Sequence, residues 1–171
     1  MYRRVVSFSF ADRSMVPGLT LMGFWFAGVS LGLWAACFYG GSVGALALAA
    51  GRAELTFGRS CVAAMLPLFL SAFAVFFFHR TGAYLACLIR GLAVGFLLGA
   101  LMEVGGPWLG LLLLFSAVMV SPVILWFLWR RLCLGRDGCR RDLLHAFLAA
   151  MGIAAVDCWV IAPFLERALS F

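Results

Sequence analysis

Two runs of more than twenty residues in this chain, residues 19–39 and 108–129, contain no charged side chain at all. A helix of about 20 residues crosses the roughly 30 Å hydrocarbon core of a bilayer, so each run is long enough to span one. Two further runs, 61–78 and 82–102, flank His79-Arg80, and a fifth, 143–164, follows the most charged part of the chain. Of the 171 residues, 65% are hydrophobic and 12% charged, against about a quarter charged in soluble domains. A soluble fold of this length could not bury so much apolar surface. Composition therefore excludes a soluble globular enzyme. It predicts one all-α integral membrane domain over residues 1–171, a bundle of five transmembrane helices at 19–39, 61–78, 82–102, 108–129 and 143–164.

The connections follow from the breakers. Gly40-Gly41 is expected to end or bend the first helix, because continuing to Ala50 would give about 48 Å of helix. The first run also exceeds the 7–15 apolar residues of a signal peptide, so it is expected to be retained. Residues 42–60 form a connection with Arg52, Glu54 and Arg59, and Glu103-Val104-Gly105-Gly106-Pro107 reads as a tight turn. Residues 130–142 form the strongly charged connection before the last helix.

An odd number of spans places the termini on opposite sides. With the N-terminus cytoplasmic and the C-terminus outside, the inner side holds Arg3, Arg4, Arg13, Arg80, Arg130, Arg131, Arg136, Arg140 and Arg141. The outer side holds Arg52, Arg59 and Arg167, and Arg90 lies within a span. Nine against three is a positive-inside distribution. The net charge of +6 is thus explained by topology, and no nucleic-acid partner is implied. Trp25, Tyr84, Trp126 and Trp129 fall toward inner ends and Trp34, Tyr39, Trp108 and Trp159 toward outer ends, as in an interfacial aromatic belt.

Inside the spans, Gly91, Gly95 and Gly99 recur at every fourth residue and share one helix face; Gly28 and Gly32 give a shorter version on the first helix. Small residues let another backbone approach closely, which drives association in lipid. Spacing leaves open whether the partner is another span or a second protein. Arg90 and Asp157 are the ionisable residues deepest in apolar runs. A charge there costs at least about 2.5 kcal/mol on insertion scales. It must snorkel, find separate polar contacts, pair with the other or serve a relay. Pro67, Pro122 and Pro163 are expected to kink their helices, and Ser116 and Ser121 to bond local carbonyls.

Chemistry-bearing patterns are weak. Gly40-Gly41-Ser42-Val43-Gly44 matches the nucleophile-elbow spacing, which needs a strand before it, and His79 and His145 fall on the opposite side from Ser42. The six cysteines, at 37, 61, 87, 133, 139 and 158, form no disulfide framework. Cys133 and Cys139 are too widely spaced for the usual zinc pair and fit reversible palmitoylation, or no role at all, better. No catalytic, cofactor or metal site is expected. The chain has no Lys, Asn or Gln, so its spans are poor in polar groups.

Arg90-Gly91-Leu92-Ala93-Val94-Gly95-Phe96-Leu97-Leu98-Gly99 resembles a basic-Gly-x-x-x-Gly-Phe-x-x-Gly stretch of the stage II sporulation protein M family, small bacterial membrane proteins. Gly105-Gly106 and Ser121-Pro122 are similar to the turn and proline-containing helix that follow in that family. Asp157-Cys158-Trp159-Val160-Ile161-Ala162-Pro163 looks like its last helix and Gly28-Val29-Ser30-Leu31-Gly32 like its first. Asp157 stands where the family more often has Glu, and the outer loop is short. The resemblance implies a non-enzymatic multi-pass scaffold of the bacterial cell membrane at the sporulation septum. Such a scaffold recruits peptidoglycan-degrading partners similar to stage II sporulation proteins P and D during engulfment. It also implies that the glycine seam docks a partner or a second copy, and that Asp157–Pro163 caps the last helix. The alternative is a small transporter or membrane subunit of a transport complex, which needs convergent polar groups at mid-membrane.

Overall fold

The computed structural model describes residues 10–51, 57–134 and 139–164, all helical apart from a turn at Leu114. Helix α1 is Phe10–Gly51, α2 is Phe57–Leu113, α3 is Phe115–Leu134 and α4 is Cys139–Val156. A π-helical turn, Asp157–Ile161, follows directly, and residues 162–164 return to α-helix. Three stretches are long and apolar enough to cross a membrane: Met15–Ser42, Ser60–Glu103 and Arg140–Phe164. An all-helical, multi-pass membrane architecture follows from them.

The expected five separate helices are four. The runs 61–78 and 82–102, with the first residues of 108–129, all belong to α2. This element is not a rod. Fifty-seven residues would extend about 85 Å, nearly three times the hydrocarbon thickness. At His79 the backbone takes φ 50°, and the chain doubles back there. A Cβ on Gly82 would run into the carbonyl oxygen of Ala74 and lie 3.0 Å from Phe78 Cβ. Only a residue without a side chain allows this approach. A non-glycine residue in the left-handed region is strained by roughly 1 kcal/mol. His79→Gly is therefore expected to leave stability unchanged or raise it by up to about 1 kcal/mol, and His79→Val to lower it by about 1–2 kcal/mol. Reversible unfolding in mixed micelles checks both; a more stable His79→Val protein would contradict the reading.

A second reversal lies further on. Arg90 Nη2 donates to the carbonyl of Ala117 at 2.8 Å, whereas a straight helix would put residues 90 and 113 about 35 Å apart. The chain must return between them. The turn expected at Glu103–Pro107 does not unwind the helix, which stays helical to Leu113. The interruption falls at Leu114, whose carbonyl accepts the N–H of Val118 at 2.8 Å. Of the end or bend expected at Gly40-Gly41, the end is likewise corrected, since α1 runs on to Gly51. In lipid an unbroken helix is the simplest way to satisfy backbone N–H and C=O groups, and Gly40 serves a packing contact instead. The charged connection shrinks as well: α3 reaches Leu134 and α4 starts at Cys139. Arg52, Arg136 and Arg167 lie outside the described residues, as do the two termini.

Residue size is distributed inside out. Ala36, Ala64, Ala83, Ala100, Ala146, Ala150 and Ala154 are buried, while Trp34, Phe73, Phe76, Phe78 and Leu148 are more than half exposed. Water would penalise that surface heavily, whereas lipid tails are as apolar as the side chains. Phe127, Ile124, Leu128 and Val120 of α3 form the large part of the core, meeting Ala146, Ala150 and Ala154 of α4 and Ala64 and Leu68 of α2. Phe69 and Phe147 close this contact edge to face at 6.1 Å.

Candidate functional site

The two glycine ladders face each other. A Cβ on Gly28 would strike the carbonyl oxygen of Leu88, and one on Gly91 the carbonyl oxygen of Trp25. One turn further, Gly32 meets the Leu92 carbonyl and Gly95 the Val29 carbonyl. A Cβ on Gly99 would lie 2.6 Å from Ala36 Cβ, and one on Gly40 would lie 3.2 Å from Ala100 Cα. The paired numbers rise together, so residues 28–40 of α1 and 91–100 of α2 run parallel. Each backbone sits in the groove left by the other's missing side chains. This geometry is the close helix contact that small residues at every fourth position permit. Sequence left the partner of the seam open; the structure fills it with another segment of the same chain. On α1 the ladder extends beyond Gly28 and Gly32 through Ala36 to Gly40.

Arg90 and Asp157 are held by different groups. Arg90 donates to Ala117 O, and the hydroxyl of Ser121 donates to the same oxygen at 3.0 Å. Asp157 is buried and accepts from Ser60 Oγ at 3.3 Å. Arg90 shares a groove with Pro67 and Ser71; seven and eleven residues separate these from Ser60, about 10–17 Å along a helix. That axial offset keeps the two charges at different depths. Asp157 also begins the π-helical turn, whose end is marked by the Ala162 N–H reaching the Asp157 carbonyl. Pro163 follows immediately. A proline ring clashes with the carbonyl four residues back, here that of Trp159, and the wider turn gives that carbonyl room. The expected kink at Pro163 thus takes the form of a π-turn. Pro122 lies inside α3 without ending it, five residues after the doubly bonded Ala117 carbonyl.

An ion pair ties the end of α3 to the start of α4. Arg130 Nε lies 3.1 Å from Asp142 Oδ2, with the guanidinium 5.4 Å from the Trp126 ring. Asp142 is buried in the first turn of α4, where the helix dipole also favours a negative charge.

Other sequence-level patterns are not assembled into a site. Ser42 lies within α1 and is exposed, and His79 and His145 are exposed. Among the described residues no three His, Cys, Asp or Glu side chains could hold a metal ion. Cys133 is exposed, and the side chain of Cys139 lies outside the described set. One packing element was missed in the sequence: Ala146, Ala150 and Ala154, at most 1% exposed. Its every-fourth-residue spacing was visible, but alanine is too common in apolar helices to stand out beside glycine. Compared with protein-family models, curated proteins and solved structures, the chain matches none.

Proposed function

We propose that this chain is a non-enzymatic membrane scaffold similar to the stage II sporulation protein M family. In this reading it recruits or anchors peptidoglycan-degrading partners at a sporulation septum. One observation carries it. The two segments that resemble the family's first and third helices, Gly28–Gly32 and Arg90–Gly99, lie about sixty residues apart in sequence yet form a single seam. A shared seam gives those two resemblances a common physical cause. The topology proposed with it has five passes, the N-terminus cytoplasmic and the C-terminus outside. Its supports are the reversal at His79, the return between Arg90 and Ala117, the parallel course of the first and third passes, and the nine-to-three arginine distribution.

The test is genetic. Deleting the gene in its source bacterium is expected to leave sporulating cells with an unengulfed septum and to disperse a fluorescent fusion of the partner hydrolase. Normal engulfment with the hydrolase still at the septum would overturn the proposal. Transport is the second reading, and the buried Asp157 carboxylate on a π-turn beside Ser60 is the observation that favours it, since π-turns recur at functional positions.

A further inference from the structure

Arg90 lies eleven residues past His79 and thirteen before Glu103, about 16 and 20 Å along the helix. Half the hydrocarbon core is about 15 Å, so neither interface is within reach of the side chain without a large bilayer defect. A guanidinium has five N–H donors. Arg90 uses one, to Ala117 O at 2.8 Å, and its Nε–H is buried with no acceptor. Among the described residues no carboxylate lies within ion-pairing distance of it. Asp157, the other ionisable residue set deep in a span, is turned to Ser60.

The same arginine lines a groove of about 370 Å³ between the two arms of α2. Pro67, Ser71 and Ala74 form one wall and Ala86, Arg90 and Ala93 the other. Ser71 spends its hydroxyl on Pro67 O at 2.7 Å, which leaves Arg90 as the polar group with donors to offer. Beside the groove, Leu66, Leu70, Leu85 and Ile89 are more than half exposed. An apolar cleft between helices, with one under-bonded cation at mid-depth, is complementary to a second helix carrying one acid at mid-depth. Pairing would remove most of the cost of the buried charge.

We infer that the α2 groove docks a partner transmembrane helix bearing a single Asp or Glu at mid-membrane, with Arg90 as its counter-ion. The contact rests on the scaffold reading, for which it names the recognition chemistry. It also moves docking away from the glycine seam, which α1 and α2 fill between themselves.

The test uses the full chain in phosphatidylcholine vesicles with three Lys-flanked polyleucine helices whose central residue is Asp, Leu or Arg. Energy transfer from the six tryptophans to a dansyl group on the helix reports association. The Asp helix is expected to associate about tenfold more tightly than the Leu helix. Arg90→Leu should abolish that preference, and Arg90→Glu should transfer it to the Arg helix, which also shows that the variant is folded. No preference in the native chain, or a preference that persists in Arg90→Leu, would overturn the inference. So would Arg90-dependent self-association without any helix added, because a second copy would then fill the groove. Failure here leaves the hydrolase-localisation experiment unaffected, so loss of this contact is distinguishable from loss of the scaffold reading.

Discussion

Gly95→Leu is expected to destabilise the protein by about 3 kcal/mol or more, at the upper end of overpacking costs. The first added carbon already meets the Val29 carbonyl oxygen, with Val29 Cα at 2.8 Å. Both obstacles are backbone, so no rotamer change relieves them, and α1 must move away from α2. Separation also removes the neighbouring contacts at Gly28, Gly32 and Gly91, so Gly91→Leu combined with Gly95→Leu should cost less than the sum of the two. Gly152→Leu is the matched control, because nothing lies within 4 Å of its Cβ position; its expected effect is within about 0.5 kcal/mol. Unfolding midpoints in mixed micelles, followed by tryptophan fluorescence, make the comparison. Similar midpoints for Gly95→Leu and Gly152→Leu would mean that the seam does not hold the helices together. A lower midpoint for Gly95→Leu alone would show an opened bundle, so a change in any further property of that variant would follow from the opened bundle and not from a blocked surface.

Phe127→Ala should cost about 2–3 kcal/mol, from roughly 100 Å³ of lost side-chain volume at about 24 cal/mol per Å³ of cavity. Phe127 is 1% exposed and is the largest fully buried side chain among the described residues. In water a further transfer contribution would add to this. It falls away here because the lipid that surrounds the unpacked helices is as apolar as the core. Phe76→Ala, at 61% exposed, removes the same atoms from a surface facing outward and should shift stability by less than about 0.5 kcal/mol. Equal losses for both would show that apolar volume alone, not interior packing, sets the stability.

Local chemistry made much of this fold legible. Runs of uncharged residues located the helices, and His79-Arg80 located the first reversal. The regular spacing of Gly91, Gly95 and Gly99 identified a packing face before any partner was known. Where local reading failed, it overestimated breakers. Gly40-Gly41 and Gly105-Gly106-Pro107 would end a helix in water, where exposed backbone groups can hydrogen-bond to solvent. The helix continues through both; Gly40-Gly41 lies within an apolar span, where those groups have no such alternative. The same reasoning explains why the five expected spans merge into four elements: reversal of direction and loss of helical conformation are separate events, and composition reports only the tendency toward the second.

Sequence by itself determined the class of the protein, the approximate length of its apolar segments, the faces suited to close packing and the presence of two deep charges. Tertiary structure alone decided what those features meet. Gly91, Gly95 and Gly99 face Gly28, Gly32 and Ala36 because the reversal at His79 brings the second arm of α2 alongside α1 in parallel register. Arg90 turns to Ala117 and Asp157 to Ser60 because they lie at different levels of the bundle. Periodicity specifies a face within one helix, but partner and depth depend on where the chain turns and how far each helix has advanced. These are long-range quantities that no local pattern carries.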